Sequence, residues 1–108
     1  MAVAVVGGGS GSGDDFLRGS HLDYWYNASF DSVEDAFDYH YLTHVVQAGY
    51  SQTPEEYTSD ALAFSNGFAG RWAQTPLADE TVGWYGSASD GQGGVYSADW
   101  SIVSYWYR

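Results

Sequence analysis

The sequence contains no cysteine and no lysine. Without cysteine there is no disulfide framework and no thiolate metal site, although the compartment stays open. Without lysine, Arg18, Arg71 and Arg108 are the only permanent cations against 14 Asp and Glu, and the formal net charge is −11. Three arginines so far apart form no basic patch. A chain this negative repels nucleic acid unless a local cluster reverses the field. Long apolar runs are missing too. The run from Met1 to Val6 falls far short of the ~20 residues that span a bilayer. It also lacks the basic start of a signal peptide. The phosphate-binding, dinucleotide-binding, nucleophile-elbow and zinc-finger patterns do not occur, and Gly93-Gly94 after a loop makes no phosphate motif.

Aromatic residues are abundant instead: ten Tyr, five Trp and five Phe. Each buried ring removes about 150–250 Å² from water, so ring packing is the expected main source of stability. The 108 residues suit one domain. Residues 1–13 read as an arm, with Gly7 to Gly13 as a flexible linker. Val3, Val5 and Val6 favour extended structure, so the arm is either a tethered strand or the remnant of a leader or tag. Residues 14–108 are the folding unit.

Ser32 is a good N-cap with Asp35 three residues on, and Val33, Phe37 and Tyr41 follow at helical spacing. A helix over 33–47, stopped by Gly49, is expected. Thr53-Pro54-Glu55-Glu56 combines an N-cap, a proline at the first helical position and a capping-box glutamate. Tyr57, Ala61, Phe64 and Phe68 then line one face of a second helix, ended by Asn66-Gly67. Residues 81–85 read as a strand and 87–93 as a glycine loop. Residues 94–96 and 101–107 read as a hairpin joined by 97–100. In the last strand, alternation places Ile102, Ser104 and Trp106 on one face and Val103, Tyr105 and Tyr107 on the other. Large groups on both faces predict a central strand. Around Tyr24-Trp25-Tyr26, periodicity does not decide between helix and strand. The expected fold class is α+β: two short helices on a small antiparallel sheet with a C-terminal β-hairpin.

His40 and His44 lie four apart and share a helix face. Such a pair can ligate a metal, transfer protons near neutral pH, or simply pack against the sheet. The spacing lacks the glutamate of the H-E-x-x-H pattern, and neither a metal nor another cofactor is expected. Ser104 sits among aromatics in the final strand, where its hydroxyl either satisfies a backbone group or reaches a reacting oxygen. Tyr105 and Tyr107 are core residues or donors to an oxyanion.

Two stretches carry a resemblance. One runs from Asp38-Tyr-His40-Tyr-Leu-Thr-His44 through Gly49 to Thr53-Pro-Glu-Glu-Tyr57 and on to Phe64. The other is Gly93-Gly-Val-Tyr96-Ser-Ala-Asp99-Trp100-Ser-Ile102-Val-Ser104-Tyr105-Trp-Tyr107. Together, over about 70 residues from Asp38 onward, they resemble the C-terminal toxin domains of bacterial polymorphic toxins, in particular the barnase–EndoU–RelE-like ribonucleases. The resemblance implies a secreted, metal-independent ribonuclease-like toxin with an RNA substrate and an immunity protein as partners. It implies that His44 is the proton-transferring histidine and that the Ser104 hydroxyl and the cation of Arg71 steady the phosphate. His40, on the same helix face, and Tyr105, read above as a core residue or oxyanion donor, complete the candidate catalytic set. Two positions depart from the pattern: Thr43 stands where lysine is usual, and Trp100 where glycine is usual.

A second expectation comes from composition. An acidic chain rich in Tyr, Trp, Gly and Ser, with a valine-rich arm on a linker, suits a non-enzymatic extracellular assembly protein. Residues 1–6 would then add a strand to a neighbouring copy.

Overall fold

A computed structural model describes residue 17 and residues 19–108; the expected arm lies outside the described residues. Four strands, β1 (Ala73–Pro76), β2 (Val82–Ser87), β3 (Gly93–Tyr96) and β4 (Ile102–Trp106), form an antiparallel meander in the order β1-β2-β3-β4. Two helices, α1 (Val33–Tyr41) and α2 (Pro54–Gly67), precede them. The fold is α+β and closes on the β3–β4 hairpin, as expected. No described helix is long and apolar enough to cross a membrane.

The helix starts are set by local chemistry. The Ser32 hydroxyl accepts from the Asp35 N–H at 3.0 Å. Thr53 and Glu56 form a reciprocal capping box, with bonds of 3.1 and 2.9 Å. The first helix does not continue regularly to residue 47. After Tyr41 it widens into a π-turn, Leu42–Val46, in which the Gln47 N–H donates to the Leu42 carbonyl five residues back at 2.8 Å. Gly49 then adopts φ +87°, a left-handed conformation that suits glycine and ends the helix.

The core lies between α2 and the sheet face that carries Tyr96, Ile102 and Tyr105. Tyr57, Ala61 and Phe64 are buried on the expected face of α2. Phenols fasten this layer. The Tyr57 hydroxyl donates to the Tyr105 carbonyl, and the Tyr96 hydroxyl donates to the Ala61 carbonyl at 2.6 Å. Burial raises both phenols well above their ordinary pKa, so they remain donors. The Trp25 indole N–H donates to Thr58 Oγ1 at 2.9 Å, which joins the N-terminal segment to the same helix.

Three expectations about the sheet are corrected. β4 is not central: it pairs with β3 alone, and its outer side makes one parallel bridge between Trp25 and Ile102. The segment around Trp25 is thus a 3₁₀ turn, His21–Tyr24, followed by one extended residue on the β4 edge. The faces of β4 also differ from strict alternation. Val95 pairs with Ser104 but Tyr96 pairs with Ile102, so Val103 is an extra residue, a β-bulge. Ile102 therefore shares a face with Tyr105, while Ser104 and Trp106 face the other way. Finally, β1 was not expected. Its residues Ala-Gln-Thr-Pro carry no hydrophobic alternation, and three of the four are exposed.

Trp100 stands at φ +71° in the hairpin turn. This is the left-handed conformation for which glycine is the easier residue. The position is held by ring packing on Trp72 and Trp84, at centroid distances of 5.0 and 6.2 Å.

Thr53→Ala should destabilise the domain by about 1 kcal/mol through loss of the cap. Gly83→Ala should cost about 1–3 kcal/mol through overpacking, because a Cβ there overlaps the Tyr96 carbonyl oxygen. Urea denaturation of each variant measures both.

Candidate functional site

The π-turn carries His44 to the far face of β4. There His44 Nε2 lies 3.4 Å from Ser104 Oγ, a contact spanning 60 residues of sequence. With the proton on Nδ1, Nε2 accepts from the serine hydroxyl; with the proton on Nε2, it donates. His40 stacks on His44, the rings 5.9 Å apart and within 5° of parallel. Trp25 stacks on the other side of His40 at 6.2 Å, and Trp106 leans on His44 at 6.1 Å. The result is one column of rings: Trp25, His40, His44 and Trp106. Gly93 seats its last member. A Cβ at Gly93 would meet the Trp106 indole at 2.5 Å, so the glycine serves ring packing rather than phosphate binding.

The column is apolar, and this sets its electrostatics. Burial and the neighbouring His44 lower the pKa of His40 to about 4. Burial lowers that of His44 as well. Both imidazoles are neutral at pH 7 and therefore able to accept a proton. His40 Nδ1 is buried without a hydrogen-bond partner among the described residues. Exposed apolar side chains also occur on the first helix, its π-turn and β2: Tyr39, Leu42, Val46 and Tyr85 are 54, 48, 53 and 39 % exposed. Tyr85 stacks on Trp106 at 6.1 Å and Phe30 packs on Tyr39 at 5.6 Å, so exposed aromatic faces flank the histidines on both sides.

Of the five residues singled out in the sequence, the fold brings together His40, His44 and Ser104. Arg71 is exposed in the connection from α2 to β1, and β1 is the sheet edge opposite β4. Tyr105 faces α2, and its phenol donates to Gln92 Oε1 at 2.5 Å. Neither stands beside His44. The bulge at Val103 puts Tyr105 on the same face as Ile102 and leaves Ser104 on the opposite one. Among the described residues, no group of three or more His, Cys, Asp or Glu is placed to hold a metal ion. Trp106 and Tyr85 were not singled out. The signal available was the aromatic run beside Ser104, which cannot be told from core packing until the sheet's exposed face is known.

No family model, no curated protein and no solved structure matches the chain.

The histidines also couple stability to pH. Their folded-state pKa values lie below the ordinary 6.5, with His40 at about 4. Between these limits the unfolded chain binds protons that the folded chain does not. The stability contributed by neutral histidines is fully present above pH 6.5 and is lost as pH falls toward 4. Urea midpoints at pH 7.5 and 5 should therefore drop for the wild type and drop less for His40→Phe. Histidine ring NMR titrations should place both midpoints below 6.5, His40 lower than His44.

Proposed function

We propose that the chain is a toxin-like effector domain that cleaves RNA by metal-independent proton transfer at His44. The observation that carries this reading is the 3.4 Å contact between His44 Nε2 and Ser104 Oγ. It joins the helix and the final strand at the two positions the toxin-domain resemblance assigns to chemistry. A neutral imidazole is the form that a general base requires. In the step proposed, Ser104 Oγ accepts from Nε2–H, which leaves the lone pair on Nδ1 to take the proton of a ribose 2′-hydroxyl. The 2′-oxygen attacks the adjacent phosphorus, the P–O5′ bond breaks, the 5′-oxygen takes a proton from solvent, and His44 gives up its own to solvent. Ser104 is only 9 % exposed, so its role here is to orient the imidazole. The π-turn fits the same picture, since such widened turns often occur at functional sites.

The charge of the domain defines how RNA would be held. No arginine of the described chain stands beside His44, and the domain carries −11 overall. Binding then rests on stacking of bases on the exposed faces of Tyr39 and Tyr85, worth about 1–3 kcal/mol per base. Secretion and an immunity protein belong to the same reading.

Expression of the wild type should slow bacterial growth and degrade RNA. His44→Ala should lower the cleavage rate by about 10²–10⁴. If both proteins are harmless and leave RNA intact, the reading is lost. Salt offers a second check, because here the electrostatic term is repulsive. The wild-type rate should rise as the Debye length shortens from about 30 Å at 0.01 M salt to about 8 Å at 0.15 M. A basic ribonuclease would show the opposite trend.

A further inference from the structure

On the sheet face away from His44, an open groove of about 760 Å³ runs between α2, the turn at residues 88–92 and the last residues of the chain. Its size is that of a small-molecule site. Its walls are aromatic: Tyr50 packs on Tyr107 at 4.7 Å and Tyr107 packs on Tyr105 at 5.1 Å, with Phe64 and Phe68 beside them. Asp60 projects into it from the middle of α2. The Tyr107 phenol donates to Asp60 Oδ2, while Oδ1 has no hydrogen bond among the described residues. Gln52 also lines the groove, but its Oε1 is sealed within the wall, without a donor among the described residues. The one cation of the lining, Arg108, is turned to Asp90, with Nη1 3.3 Å from the carboxylate. Among the described residues Asp60 has no counter-ion, and burial raises the pKa of its carboxyl.

Asp60 is the carboxylate that faces the groove, and a cationic ligand that brings N–H groups gives it a charge-assisted hydrogen bond. Anionic ligands are excluded by Asp60. A quaternary ammonium satisfies the aromatic faces but brings no N–H. A primary ammonium brings three donors and a positive charge, and ring faces attract it. We infer that this groove binds a primary alkylammonium group, with Asp60 accepting its hydrogen bond and the tyrosine rings enclosing its alkyl chain. The site shares no residue with the His40–His44–Ser104 cluster, so it stands or falls separately from the ribonuclease reading.

The test is an NMR titration of the full chain with three probes: cadaverine, Nα-acetyl-lysine amide and tetramethylammonium. Saturable shifts at Tyr105, Tyr107 and the Gln52 side-chain amide are expected with at least one primary amine. Tighter binding of cadaverine identifies a free polyamine as the source, and tighter binding of the lysine derivative identifies a protein side chain. Tetramethylammonium should bind at least about tenfold more weakly, as should either amine to Asp60→Asn. Tyr50→Leu, which removes an exposed ring of the wall, should weaken amine binding several-fold with an unchanged circular dichroism spectrum, which keeps the test informative should Asp60→Asn unfold. The inference is overturned if neither amine saturates, if tetramethylammonium binds equally well, or if folded Asp60→Asn and Tyr50→Leu both bind like the wild type.

Discussion

The hydroxyl of Tyr57 lies fully buried beneath α2 and donates to the backbone carbonyl of Tyr105. A backbone carbonyl in that position has no access to water, and leaving it without a donor would cost about 1–3 kcal/mol. The ring that delivers the hydroxyl touches Trp25, Phe37, Tyr41, Tyr105 and Tyr107. One side chain thereby fixes the distance between α2 and β4, the placement of α1 and the packing of the segment that precedes it. Aromatic packing alone tolerates sliding. The phenol adds a direction, and Tyr96 repeats the device one strand further in by donating to Ala61.

This anchoring gives β4 two unlike faces. One carries Tyr105 to α2 and to the groove that contains Asp60. The other carries Ser104 and Trp106 to His44. The extra residue at Val103 makes this possible, because without it Ile102 would leave the core and join Ser104. A strand at the edge of a sheet normally presents a row of free donors and acceptors. Here the Tyr26 N–H donates to the Ile102 carbonyl at 2.8 Å and the Tyr57 hydroxyl donates to that of Tyr105, so part of that row is satisfied. The histidine column lies on the outer face of β4, and burial lowers the pKa of both its imidazoles.

Both helix starts, the C-terminal hairpin and the pairing of Thr53 with Glu56 were legible in the residues. These are local matters, decided over three or four positions by hydrogen bonds to free N–H groups. β1 was not legible. Its pairing partner, β2, supplies the register, and Gln74 and Pro76 carry no pattern of their own. The candidate site was half legible. His40 and His44 at a spacing of four announce a shared face. That Ser104 rather than Tyr105 meets them depends on a bulge that no alternation rule reveals. Arg71 was drawn toward the site by analogy of order along the chain, and the meander places it at the other edge of the sheet.

By itself, then, the sequence determined the class of fold, the caps, the acidic field and the stock of rings and imidazoles. Those properties depend on composition and short spacing. Only the tertiary structure decided which face of β4 each side chain takes. It alone brought His44 to Ser104 and turned Arg108 to Asp90, so that Asp60 faces the groove without an ion pair among the described residues. Each of these depends on strand register and on burial, which are set by residues tens of positions away.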